Sequence, residues 1–196
     1  RRFGDRESFL TLLRMVRERV PHAGVRSNVI VGFPGETEED LAELTSFLEE
    51  AELDVVGVFG YSDEDGTEAE SYAGKLPRDV IDQRVAVVTE LVEQLTAQRA
   101  QDRVGEQVSV LVEEIEHDGA GEPVVIGRAE QQGPDVDGST ILVGWPAGEV
   151  PEVGDIVLGR VEDTEGVDLI ARVVAAASSL PEAQPTVRPV AREAAS

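Results

Sequence analysis

Residues Asn28 to Thr37 read Asn-Val-Ile-Val-Gly-Phe-Pro-Gly-Glu-Thr, and Gly57 to Ala69 read Gly-Val-Phe-Gly-Tyr-Ser-Asp-Glu-Asp-Gly-Thr-Glu-Ala. Each is an apolar run rich in β-branched residues that stops at a glycine-containing turn, and the first turn opens into the helix-start signal Thr37-Glu38-Glu39-Asp40. Two strand ends of this kind project backbone groups and small side chains toward one rim. In parallel α/β architectures that rim is where ligands bind. Glycine turns also end strands without binding anything, and the local pattern alone leaves both readings open. The residues offer binding rather than catalysis. With no cysteine and only His22 and His117 as imidazoles, far apart in sequence, no catalytic or metal-ligating residue is assigned, and both histidines are expected at the surface.

The elements that must position this rim follow from periodicity. Phe9, Leu12, Leu13, Val16 and Val20 fall at helical spacing behind Asp5, a plausible cap. A strand is expected over 25–31, a helix over 38–51 with Leu41, Leu44, Leu48 and Ala51 inward, and a strand over 54–61. Strand, helix, strand with short connections is a crossover unit of a parallel sheet. Two strands neither close a barrel nor complete a doubly wound sheet, and the chain starts at Arg1-Arg2-Phe3 without methionine, so it is expected to be a piece of something longer. A polar, glycine-rich loop then leads to Pro77 and a long helix through about Val104, with Ile81, Val85, Val88, Val92 and Leu95 on one narrow buried face. From Gln107 the period changes to two. Alternation at 108–112, 124–126, 140–143, 156–158 and 168–173 predicts five short strands in a small OB-like antiparallel barrel. There Gly127, Gly144 and Gly159 serve bends or close packing, and Trp145 is expected to be partly buried. The expected organisation is an α/β part over 1–76, a connecting helix over 77–103, a barrel over 104–174 and a disordered tail over 175–196.

Charge separates these parts. Residues 1–103 hold twelve basic and twenty-two acidic side chains, residues 104–174 three and sixteen, and residues 175–196 two and two, within a net charge of −23. An acidic barrel repels phosphate backbones and suits a basic protein, although acidity also serves plain solubility. No apolar run approaches the roughly 18 residues of a membrane span, so no membrane partner is expected and the cytoplasm is the default.

The two motifs at 26–37 and 58–69, followed by a long helix and a small β-barrel, resemble the C-terminal part of the radical S-adenosylmethionine methylthiotransferases, and the closing barrel resembles a TRAM domain. The resemblance covers Arg1 to about Val174. Within the family it is closest to the branch that adds a methylthio group to an aspartate of a small-subunit ribosomal protein. The sister branch modifies an adenosine in transfer RNA and uses a basic barrel, whereas this barrel has only Arg128, Arg160 and Arg172. Asp63-Glu64-Asp65 points the same way, since the tRNA-modifying relatives usually place an arginine after the Tyr-Ser pair. The resemblance implies a partial parallel α/β barrel joined to an all-β barrel, a basic ribosomal protein rather than nucleic acid as partner, and a monomer.

The resemblance also implies cofactors. S-adenosylmethionine and two [4Fe-4S] clusters belong to the parent enzyme, and the cluster ligands are absent from a chain without cysteine, so this piece is expected to be inactive alone. By the same resemblance Ser27, Asn28, Ile30, Val31, Gly32 and Phe33 from the first strand, and Phe59, Gly60, Tyr61 and Ser62 from the second, form part of the wall around the adenosine. Glu36 is open to either ligand contact or a role at the helix start. Two alternatives remain: a fragment of a tRNA-adenosine methylthiotransferase, and a non-catalytic acidic or RNA-binding barrel.

Overall fold

A computed structural model describes residues 5–117, 119, 123–134, 137–145 and 151–175. The tail assigned to 175–196 lies outside them, apart from Ala175. Helix α1 (Arg6–Arg19) begins on Asp5, whose carboxylate accepts the Ser8 N–H at 2.9 Å. Strand β1 (Arg26–Val31), helix α2 (Glu38–Ala51) and strand β2 (Val55–Gly60) form the crossover unit, with β1 and β2 parallel. Thr37 and Asp40 close a reciprocal capping box that starts α2 where the sequence signal puts it. At its other end α2 stops on Glu52 in the left-handed region (φ 49°), and Arg17 of α1 donates to the carbonyls of Ala51 at 2.8 Å and Glu52 at 2.6 Å.

Those two bonds also fix the rotation of α1. Leu10 is its buried residue and Leu13 and Val16 are half-buried, while Phe9, Leu12 and Val20, expected inward, are exposed. The long helix α3 (Arg78–Gln101) spans 24 residues, about 36 Å. It ends three residues before the expected Val104. Ile81, Val88 and Val92 are buried as expected, Val85 and Leu95 are half-buried, and the stripe continues through Thr96 and Ala100. Leu10, Val31, Leu48, Ala51, Leu53, Val88 and Val92 form the first core, whereas Ala100 belongs to a second core inside the barrel. One helix therefore serves both.

The barrel comprises β3 (Gln107–His117), β4 (Pro123–Ala129), β5 (Thr140–Val143), β6 (Ile156–Glu165) and β7 (Asp168–Ala175), closed in the order β3-β4-β5-β7-β6. The expected five-stranded OB-like barrel is present, with one correction. It is mixed rather than antiparallel, because β5 and β7 run parallel. Directions cannot alternate all the way round a closed ring of five strands, so one neighbouring pair must be parallel. Val108, Val110, Val112, Val125, Leu142, Val157, Val161 and Leu169 fill the interior, and Trp145 packs partly buried against them. A Cβ on Gly127 would lie 2.2 Å from the Leu111 carbonyl oxygen, beside the β3 register shift. Close packing is its role. No helix of the described residues is long and apolar enough to cross a membrane.

Candidate functional site

The side-chain period of two divides the β1–β2 sheet into unlike faces. Ser27, Val29 and Val31, with Val56, Val58 and Gly60, point toward the helices, and Val31 is fully buried there. Asn28 and Ile30, with Gly57 and Phe59, point the other way. Ile30 is 50% and Phe59 54% exposed, and they sit opposite each other in register. A Cβ on Gly57 would lie 2.4 Å from Asn28 Oδ1, so the absent side chain leaves room for the Asn28 amide to lie across β2.

Of the ten expected site residues, the fold thus brings Asn28, Ile30 and Phe59 together on one open face, with Phe33, Tyr61 and Ser62 in the loops at its carboxyl edge. Phe33 packs edge-on against Tyr61 (ring centroids 5.2 Å apart) and Tyr72 (6.0 Å). Tyr61 Oη donates to Asp63 at 2.8 Å and Lys75 Nζ donates to the same carboxylate at 2.7 Å. The Lys75 bond first, then that from Tyr61, holds the Asp63 carboxyl below its usual range, while desolvation and the Asp63 bond push the Tyr61 phenol up. Ser62 is exposed and its hydroxyl reaches Glu64 at 3.4 Å.

Ser27, Val31 and Gly60 lie on the opposite face, and the Val31 side chain is core. Gly32 and Gly60 have a packing role. At Gly32 (φ 79°) a Cβ would lie 2.7 Å from Ile81 Cγ1, and at Gly60 it would lie 3.0 Å from Ile81 Cγ2 and 3.1 Å from Val85 Cγ2. The first turn of α3 can seat on the strand ends only because both positions lack a side chain. Glu36 is also structural. Its carboxylate accepts the Gly32 N–H at 2.9 Å and Arg84 Nη1 at 2.5 Å, and Arg84 reaches Glu38 with its other amino group. Arg84 is 5% exposed. Burial opposes its charge, but the hydrogen bonds and charges of Glu38 and Glu36 outweigh that and raise its pKa. Arg84 was not foreseen: it sits on the stripe between Ile81 and Val88, and its partners are more than forty residues away.

The barrel meets the α/β unit at the amino ends of the strands. Asp54 accepts from Val25 N at 2.8 Å and from Arg103 at 2.6 Å, with Arg99 at 3.5 Å. Arg26 pairs with Asp137 of the barrel. A Cβ on Gly24 would lie 2.0 Å from the Gln131 carbonyl oxygen, so the chains touch backbone to backbone. Six-residue strands separate this junction from the Gly32–Tyr61 rim by about 20 Å.

Carboxylates dominate the barrel surface. Glu113, Glu114, Glu116, Glu130, Glu152, Glu162, Asp163 and Glu165 are exposed. Each barrel arginine is already engaged: Arg128 with Glu113 at 2.6 Å, Arg172 with Glu162 at 2.7 Å, and Arg160 with the Gly105 carbonyl at 2.9 Å. His22 and His117 are both exposed, and His22 Nδ1 lies 3.6 Å from Glu106. Among the described residues no cluster of three or more potential metal ligands exists.

The sequence is similar to known proteins. The TRAM domain family matches residues 104–174. The chain is 64% identical over 171 residues to the ribosomal protein uS12 methylthiotransferase RimO of Kineococcus radiotolerans, covering 87% of this chain and 35% of that protein. It is 62% identical over 172 residues to the RimO of a Nocardioides species, and 59% over 177 residues to that of Saccharopolyspora erythraea, again with 35% of each relative covered. The chain spans about a third of the length of the curated relatives it matches. Residues 104–174 match the TRAM domain family, and over most of its length the chain is similar to the RimO-type methylthiotransferases, the family its strand-end motifs resemble.

Proposed function

We propose that this chain is the cofactor-wall and substrate-docking part of a radical S-adenosylmethionine methylthiotransferase that modifies an aspartate of ribosomal protein uS12. The observation that carries this reading is the 64% identity over 87% of the chain to a protein named for that activity. The strand-end face and the barrel divide the work.

The chain contains no cysteine, so its residues do not fit an iron–sulfur cluster, whose thiolate ligands must come from elsewhere in a complete enzyme. S-adenosylmethionine does fit the open face. Ile30 and Phe59 offer apolar contact to an adenine ring, the Asn28 amide offers a donor and an acceptor beside them, and the loop from Tyr61 to Ser62 edges the space. Bound there, the cofactor supplies the radical chemistry. Phe33, held between Tyr61 and Tyr72, keeps that edge rigid, and the Asp63–Lys75 pair anchors the Tyr61 hydroxyl.

The barrel supports a basic polypeptide as partner. Its exposed carboxylates attract lysine- and arginine-rich chains over distances of about a Debye length, and they outnumber its three arginines, two of which are paired with carboxylates. A substrate that touches both the barrel and the rim must bridge roughly 20 Å past the junction. An extended protein segment does so; a small molecule does not. The same reading puts the protein, as a monomer, in the cytoplasm where ribosomal proteins are made.

Calorimetric titration of S-adenosylmethionine into a protein carrying this chain at the full length of its relatives tests the cofactor wall. Phe59→Ala should weaken binding roughly tenfold, as loss of an aromatic contact does. Unchanged affinity in both Phe59→Ala and Asn28→Ala would remove the open face from the site.

A further inference from the structure

The junction between the two units holds a small, partly open pocket with about 20 Å³ of space, lined by Gln131, Asp137, Arg99, Arg103, Asp54 and their neighbours. Two loop residues of the barrel face one helix of the α/β unit across it. Gln131 is 8% exposed, and neither its amide oxygen nor its amide nitrogen has a protein partner among the described residues. Asp137 is equally buried; its Oδ2 accepts from Arg26 and from Gly133 N at 2.5 Å, while Oδ1 has no partner among the described residues. Arg99 Nε, from α3, is likewise buried with no hydrogen bond among the described residues; its ion-pair partner Asp54 Oδ1 lies 3.5 Å away.

Four buried polar atoms around one cavity carry a stated cost. Each unpaired group costs about 1–3 kcal/mol, more when charged, and leaving them all dry would consume much of a domain's stability. The donor and acceptor types are complementary to a molecule that both donates and accepts: an amide N–H and a guanidinium N–H on one side, an amide oxygen and a carboxylate oxygen on the other. About 10–15 Å³ suffices for one water, and a buried water makes about three hydrogen bonds.

We propose that this cavity is a built site for one ordered water, which bridges the β4–β5 loop of the TRAM barrel to α3 and so fastens the barrel to the α/β unit. The water accepts from Arg99 Nε or the Gln131 amide and donates to Asp137 Oδ1. It completes a junction whose direct contacts, Arg26 with Asp137 and Asp54 with Arg103, flank it on either side. Gln131 is then retained as a polar residue in a buried place by the water it holds.

A crystal structure of the chain at better than about 2 Å tests this directly. Density for a water within hydrogen-bond distance of the Gln131 amide and of Asp137 Oδ1 or Arg99 Nε is the expected result. A dry cavity, or a Gln131 amide turned onto a protein partner, would overturn the proposal. In solution, the backbone amides of Gln132 and Gly133 should show magnetisation transfer from a long-lived water, lost in Gln131→Leu. No transfer in the unsubstituted protein, or transfer undiminished in a folded Gln131→Leu, would equally count against it; should that variant not fold, the measurement on the unsubstituted protein decides.

Discussion

Gly32→Ala isolates what the first strand-end glycine does. Its φ of 79° costs an L-residue roughly 1–2 kcal/mol, and the new Cβ would sit 2.7 Å from Ile81 Cγ1 and 3.2 Å from Ile81 Cβ, which forces α3 to shift. Overpacking of this kind costs about 1–3 kcal/mol, so the total is roughly 2–5 kcal/mol. Gly35→Ala is the natural control. Gly35 has φ 85° but nothing within 4 Å of a Cβ, so only the backbone cost of roughly 1–2 kcal/mol applies. Urea unfolding followed by far-ultraviolet circular dichroism, which reports α1–α3, should place the Gly32→Ala midpoint well below that of Gly35→Ala at unchanged slope. Ile81→Ala removes Cγ1 and Cγ2, the two nearest of the obstructing atoms, so Gly32→Ala combined with Ile81→Ala should cost less than the two separately by about 1–2 kcal/mol. Equal midpoints for Gly32→Ala and Gly35→Ala, or strict additivity with Ile81→Ala, would refute the claim that this glycine exists to seat α3.

Other perturbations probe the supports of the same rim. Arg84→Met leaves the Glu36 carboxylate buried with only the Gly32 N–H and should cost about 3 kcal/mol in urea unfolding, part of which Glu36→Gln in the same chain restores. Asp63 should titrate below the ordinary carboxylate range by NMR. Because its folded value lies below its unfolded one, the loop contacts it makes are in place above the unfolded range and are lost as pH falls through the lowered value, and Lys75→Met should move that value upward. Asp54→Asn weakens the clasp on Arg103 and Arg99, with Glu106 still 3.2 Å from Arg103, and should cost about 2 kcal/mol while hydrogen exchange quickens at Val25.

Local signals carried most of the fold. The Thr37–Asp40 capping box made the start of α2 readable, and the short β-branched and apolar run Thr140–Val143 between turn residues marked a strand, whose burial alternates in the structure. The phase of α1 was not readable. Phe9, Leu10, Leu12, Leu13, Met15 and Val16 leave several inward faces open, and the choice is made by Arg17 reaching the end of α2 some 34 residues away. The parallel β5–β7 pair follows from closure of five strands, which no single segment reveals. For the site, alternation along β1 already separates the side chains of Ile30 and Val31, which point to opposite faces of the sheet, whereas the motif resemblance grouped them without regard to face. Arg84 was hidden because a charge on a helical stripe is ordinarily solvated, and only Glu36 and Glu38 folded against it explain its burial.

The choice of a protein over RNA rests on the barrel's charge, and a paired binding measurement addresses it. Fluorescence anisotropy of the chain with ribosomal protein uS12 and with transfer RNA, each at about 50 and 200 mM salt, should show uS12 binding that weakens as salt rises and no binding of transfer RNA at either concentration. Transfer RNA binding that falls steeply with salt, alongside indifference to uS12, would contradict it.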